Sequence, residues 1–262
     1  MAALGLLSAL LPVSQSAYAQ ADAAAQFVAP AVFQAAGPNA ASIQGTVDAY
    51  RAALGDPNNA NNPGPLTSGR REINWDGGNP AIMDTTPPVT PFNVFLNTRG
   101  AQFTTPGEGL AQATPAGLAV LFNNPTYSTI FTTFSPSRLF TPAGSNVTQG
   151  TFFLPGSNGV TPATVNGFGV VFTDVDQPDG GRPHKASTLV EYFDVTGKRI
   201  FSSSVPASPG DASLSFIGIK FDDARIASIR ITTGEAPGGD DARRHDIVMM
   251  DDFIYGEPQP LQ

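Results

Sequence analysis

The chain has 262 residues, a formal net charge of −8 and a pI near 4.6. That acidity argues against nucleic acid, whose phosphates demand a basic surface, and against anionic membranes. Only 14% of residues are charged, while 27 Gly and 24 Pro exclude a helical bundle and 41% hydrophobic content excludes wholesale disorder. With no cysteine there can be no disulfide framework, zinc–thiolate site or cysteine nucleophile.

In chain order, Ala2–Val13 is an apolar run followed by Ala17-Tyr18-Ala19, a small-x-small triplet. It reads as a signal peptide cleaved after Ala19, although no Lys or Arg precedes it; the alternative is an ordinary Ala/Leu helix. The run is too short for a membrane span. The mature protein is therefore expected to be secreted, periplasmic or at the cell surface, with no membrane span. Gln20–Ala36 is Ala-rich and carries no clear pattern.

Asn39 to Leu54 is predicted as a helix, with Asn39 as N-cap and an apolar stripe of Ile43, Val47, Tyr50 and Leu54. Gly55 and Pro57 end it. Tyr50 and Arg51 read as a docking face and solvent rather than a site. Asp56–Gly69 is an Asn/Pro/Gly loop, taken as the boundary between a short N-terminal helical arm and the main domain.

Arg70–Gly78 (RREINWDGG) reads as a strand ended by Asp76-Gly77-Gly78. Trp75 is the only tryptophan, a core anchor or a sugar-stacking platform. Asn74 and Asp76 are oxygen donors for a cation or for local turns. Between residues 81 and 175 short Thr/Phe/Val pieces recur between Pro and Gly. Phe92–Leu96, Ala101–Thr105, Gly117–Phe122, Tyr127–Phe134, Val147–Leu154 and Val165–Val175 are all predicted as strands.

In Asn166–Asp176 (NGFGVVFTDVD), strict alternation puts Asp174 and Asp176 on the Phe168 face, roughly 6.6–6.8 Å apart. Thr188–Asp194 and Lys198–Val205 form a hairpin around Val195-Thr196-Gly197. Leu214–Phe221 and Arg225–Thr233 are two further strands. Ile247–Tyr255 is apolar on both faces and so central, with Asp251 on one face and Asp252 on the other. The tail from Gly256 is expected to be loose.

Roughly ten to twelve strands with short links predict an all-β chain: an antiparallel two-sheet β-sandwich of jelly-roll type. The expected organisation is residues 1–19 signal peptide, 20–69 helix and linker, 70–258 sandwich and 259–262 tail.

The strings GFGVVFTDVD, EYFDVTGKRIF, LSFIGIKFDDARIASIRIT and DIVMMDDFIYGEP resemble a type of exported bacterial β-sandwich, some members of which carry PEP-CTERM sorting tails. GRREINWDGG resembles an element of the same proteins. The resemblance implies a jelly-roll or galactose-binding-like fold, in which an acid on the last strand often helps to hold a structural calcium. It implies no activity, and after Pro258 the sorting tail is missing.

Calcium takes about six to eight oxygens. The predicted ligands are Asp174, Asp176, Asp252 and Asp76, with Asp251, Asn74 and Asp179 as further donors. The alternative is that the acids cap turns or pair with Arg182, Arg225, Arg243 or Arg244. No Gly-x-Ser-x-Gly or His-Glu-x-x-His occurs, and His184 and His245 lie in polar loops. No catalytic residue is assigned. Trp75 and Tyr192 are the candidate ligand-binding aromatics. The expected function is a noncatalytic, calcium-stabilised module for surface recognition, of a glycan or envelope component, or for structure. The alternative is a polysaccharide-active hydrolase or lyase. The oligomeric state is not legible.

Overall fold

The computed structural model describes residues 29–84, 86–177, 188–239 and 245–261. The signal segment, Asp179, Arg182, His184, Arg243 and Arg244 lie outside the described residues.

In chain order the elements are β1 (Ala31–Gly37), α1 (Ala40–Leu54), β2 (Arg70–Ile73), α2 (Pro80–Met83), α3 (Leu96–Arg99), β3 (Ala101–Thr104) and β4 (Gly109–Ala113). Then come α4 (Pro115–Leu121), α5 (Tyr127–Ile130), β5 (Leu139–Ala143), β6 (Val147–Phe152), β7 (Ala163–Thr164) and β8 (Gly167–Thr173). The chain continues through β9 (Leu189–Phe193), β10 (Arg199–Ser204), β11 (Leu214–Lys220), β12 (Ser228–Thr232), β13 (Met249–Gly256) and β14 (Gln259–Pro260).

The strands form two main antiparallel sheets. The larger runs β1-β11-β8-β13-β5-β4, with β2 also pairing β13; the smaller runs β10-β9-β12-β6-β3. One apolar cluster draws on both. Phe140, Phe168, Val170, Phe172 and Phe253 come from the larger sheet, and Phe103, Phe152, Val190, Tyr192 and Ile231 from the smaller. The other face of the larger sheet is covered by α1, through Ile43, Val47, Tyr50 and Leu54 against Val171, Phe216 and Ile254. β8 and β13 are therefore buried on both faces, as apolar residues on both faces of each strand predict.

Residues 31–54, expected as an arm, are part of this body. β1 pairs with β11 over seven residues in one register, and α1 lies on the sheet. The Asn39 side chain caps the helix by accepting from the Ser42 N–H. The helix seats on glycine. Gly218 and Gly169 are paired across β11 and β8. A Cβ at Gly169 would lie 2.7 Å from Tyr50 Cε1, and one at Gly218 2.9 Å from the same ring. The Tyr50 hydroxyl reaches over this flat patch to donate to the Ile219 carbonyl at 3.1 Å. Gly169→Ala is expected to lift α1 and to cost about 1–3 kcal/mol, as overpacking does, measured as a lowered urea midpoint.

Several expectations need correction. Residues 92–96 form no strand: Phe92 makes an isolated bridge to Phe103, and Leu96 opens α3. Residues 117–122 and 127–134 contribute the short helices α4 and α5, not strands. Thr114 Oγ1 caps α4 at the Gly117 N–H with Pro115 in the first turn, a local start signal that outweighs strand propensity. The tail is not loose: Glu257 is buried, and Gln259 and Pro260 pair with Thr164 and Ala163. No helix among the described residues is long and apolar enough to cross a membrane.

Candidate functional site

The site is built on a break in β13. Register with β8 shifts between Met250 and Phe253, so Asp251 and Asp252 form a β-bulge. On its other edge β13 changes partner across the same two residues, from β5 at Met250 to β2 at Phe253. Strict alternation would put Met250 and Phe253 on opposite faces. The bulge instead turns both into the core between the sheets. Trp75 fills the gap in the ladder, its indole N–H donating to the Asp251 carbonyl at 2.8 Å. Its backbone is left-handed, φ 64°, which is costly for a bulky residue. Burial and a 3.8 Å stack on Phe140 hold it there.

The two carboxylates meet the 134–138 segment. Asp251 accepts from the Phe134 N–H at 2.6 Å. The Ser135 hydroxyl lies 2.5 Å from an Asp252 oxygen, 3.4 Å from Asp251 and 3.5 Å from Asp76. It has one proton to donate, and the shortest contact is to Asp252. Asp76 also accepts from the Ser137 and Arg138 N–H groups. Asp251 is fully buried, and burial, then the charge of Asp252, pushes its carboxyl well above the usual range. Burial also raises Asp252 and Asp76, against the hydrogen bonds that lower them. The only guanidinium within 4.0 Å of Asp252 among the described residues is Arg51, at 3.4 Å, and Arg51 is held closer by Glu72 at 2.8 Å.

Asp252 and Ser135 open onto a cleft of ≈ 290 Å³. Arg51 enters from α1, Asn58 from the following loop, Glu72 from β2, Asn74 from its exit and Arg99 from α3. Glu72 is gripped by Arg51 and by Arg70 at 2.7 Å. The lining is polar throughout and its charged groups are held in place, which suits hydrogen bonding to a polar ligand.

Comparison with known protein families, curated proteins and solved structures finds no match. The site is therefore read from its own geometry.

Of the four predicted metal ligands, Asp76 and Asp252 are brought together around Ser135, and Asp174 and Asp176 are not. β8 ends at Thr173, and Asp174 is left-handed at φ 68°, which breaks the alternation. Val175 rather than Asp174 joins the core with Phe172. Asp176 accepts from the Gly210 N–H at 2.7 Å, and its own N–H donates to Asp246. Among the described residues no group of three or more His, Cys, Asp or Glu is arranged to hold a metal ion. Around Ser135 the carboxylate oxygens of Asp76, Asp251 and Asp252 face N–H and O–H donors.

Neither candidate aromatic is a platform. Trp75 and Tyr192 are both 0% exposed, and the Tyr192 hydroxyl donates to the Phe168 carbonyl at 3.4 Å. Each is worth more to the core than to a ligand, because a large ring buries the most apolar area. Arg51, Glu72, Arg99 and Ser135 were not legible as site residues. The one signal was that Arg51 stands beside the buried stripe of α1. His245 is exposed, 3.6 Å from Glu235, and does not line the cleft.

Proposed function

We propose that this chain is an exported, noncatalytic β-sandwich of jelly-roll type that recognises a glycan or envelope component through the cleft between α1, β2 and α3. The observation that carries the reading is the lining: side-chain amides, guanidiniums and carboxylates fixed in one polar cleft. Such fixed donors and acceptors favour a hydroxyl-rich ligand, because little side-chain freedom is lost on binding. Asn74 is exposed at the rim. Asn74→Ala is expected to weaken binding about tenfold, the worth of one or two hydrogen bonds, with the melting temperature unchanged. Titration of a soluble glycan panel into both proteins, followed by calorimetry, checks this. Equal binding by the two would remove the cleft from the reading.

One observation favours a second reading, a hydrolase or lyase. Asp252 lines the cleft with a raised pKa, as a general acid requires. Depolymerisation of a polysaccharide that is lost in Asp252→Asn would establish it.

A further inference from the structure

We infer that the cleft selects a ligand bearing a carboxylate, an acidic sugar of the uronate class, and that Arg99 is the residue that reads it. The inference rests on the recognition reading above and adds to it the ligand class and the specificity-determining residue.

Arg99 differs from every other arginine around the site. Arg51 pairs with Asp48, Glu72 and Asp252, and Arg70 with Asp56 and Glu72. Arg71 pairs with Glu257 and Arg138 with Asp84. Among the described residues no carboxylate lies within 4.0 Å of Arg99. Its partners are neutral. Nε donates to Asn61 Oδ1 at 3.0 Å, Nη1 donates to the Glu72 backbone carbonyl, and the guanidinium lies 5.1 Å over the Phe95 ring. Nη2 makes no hydrogen bond among the described residues. The backbone is fixed as well: the Tyr255 hydroxyl donates to the Arg99 carbonyl at 3.0 Å, and Gly100 caps α3 in the left-handed region.

A half-buried guanidinium with no ion pair is unfavourable. Burial lowers its pKa and Arg71 adds to that, while Tyr255 and the charge of Glu72 oppose the shift without cancelling it. Arg99 lines the cleft, so an anion entering there would supply the missing charge. The anion is a single carboxylate rather than a phosphate. Among the described residues lining the cleft only Arg99 makes no ion pair, and a doubly charged group would face Glu72 and Asp252. Those two acids are engaged by Arg51, so one negative charge beside Arg99 is tolerated. The planar fork of arginine matches a carboxylate. Asn58 Oδ1 accepts from the Ala60 N–H, which leaves its amide N–H groups, with Asn74, for ring hydroxyls. At ≈ 290 Å³ the cleft is at the small end of ligand sites, which suits one sugar unit.

The test compares glucuronate and galacturonate with glucose and galactose by calorimetry and by amide chemical-shift titration, on the whole chain, at low and high salt. The uronates are expected to bind about tenfold or more tighter than their neutral partners, as a charge-assisted pair provides. Arg99→Gln should abolish the preference, so that the uronates bind no tighter than their neutral partners. Arg99→Lys keeps the charge without the fork and should keep only part of the preference, which guards against a Gln variant that folds poorly. Equal binding of acidic and neutral sugars, unchanged in Arg99→Gln, overturns the inference and leaves the recognition reading standing. No sugar binding at all overturns both.

Discussion

Replacing Glu257 with Gln is expected to destabilise the native state by about 3–5 kcal/mol, the cost of leaving a buried charge without its partner. Arg71 is fully buried, and it meets Glu257 through two parallel bonds, Nε to Oε2 at 2.6 Å and Nη2 to Oε1 at 2.7 Å. Its remaining amino group donates to the carbonyls of Ala60, Asn62 and Thr98 at 2.8, 2.8 and 3.1 Å. Glu257 in turn accepts from the Asn59 side chain at 2.9 Å and from the Leu66 N–H at 3.2 Å. One ion pair therefore holds the loop of residues 56–69, α3 and the end of β13 together. The loop and α3 also carry Asn58 and Arg99 to the cleft. Urea unfolding of Glu257→Gln against the parent measures the effect. A loss below about 1 kcal/mol, as for an exposed pair, would show that the loop is held by other contacts. The double variant Arg71→Met, Glu257→Leu is expected to recover much of the loss, because removing both charges removes the uncompensated one.

The Arg71–Glu257 pair also marks where the sequence stops being readable. Elements set by local chemistry are legible. The Ile43–Leu54 stripe, the Asn39 cap and the hairpin of β9 and β10 appear where spacing predicts them. In that hairpin Asp194 accepts from the Thr196 and Lys198 N–H groups to close the turn. The strand character of β8, β11 and β13 is legible for the same reason. What fails depends on partners distant in sequence. Alternation along β13 misplaces Phe253, because the bulge exists only where β5 gives way to β2, more than a hundred residues upstream of β13. Alternation along β8 misplaces Asp174, because one left-handed residue reverses the faces. Trp75 is ambiguous as a lone aromatic beside polar residues, and only the Phe140 stack and the bulge carbonyl decide that it faces inward. Arg99 is an unremarkable arginine until the fold places it in the cleft with no carboxylate within 4.0 Å among the described residues.

The bulge carries the second large effect, a stability that falls as pH rises above the ordinary carboxylate range. Asp251 is buried with no guanidinium within 4.0 Å among the described residues, and its carboxyl is held above the usual range by burial and by the charge of Asp252. Below the ordinary carboxylate range Asp251 is protonated in both the folded and the unfolded chain. As pH rises, the unfolded chain ionises first while native Asp251 keeps its proton. The native state then binds more protons, so each step in pH favours unfolding until native Asp251 ionises too. Asp252 and Asp76, also raised, act in the same direction. Asp48, Glu72, Arg51 and Arg138 surround the cluster, and Asp194, whose pKa is lowered by the Thr196 hydrogen bond, opposes the trend only at low pH. The parent should therefore unfold at a lower temperature at pH 8 than at pH 5.5. Asp251→Asn keeps an oxygen for the Phe134 N–H and carries an amide where the acid carries its proton. It should flatten the profile and be the more stable protein at pH 8. A parent profile as flat as that of the variant would mean that Asp251 is ionised throughout. The same unfolding curves in calcium and in a chelator decide what balances the cluster. Coincident curves are expected if the balance is a proton. A calcium-dependent rise in melting temperature, lost in Asp252→Asn, would put a cation there instead, because only a ligand that prefers the native state raises its stability.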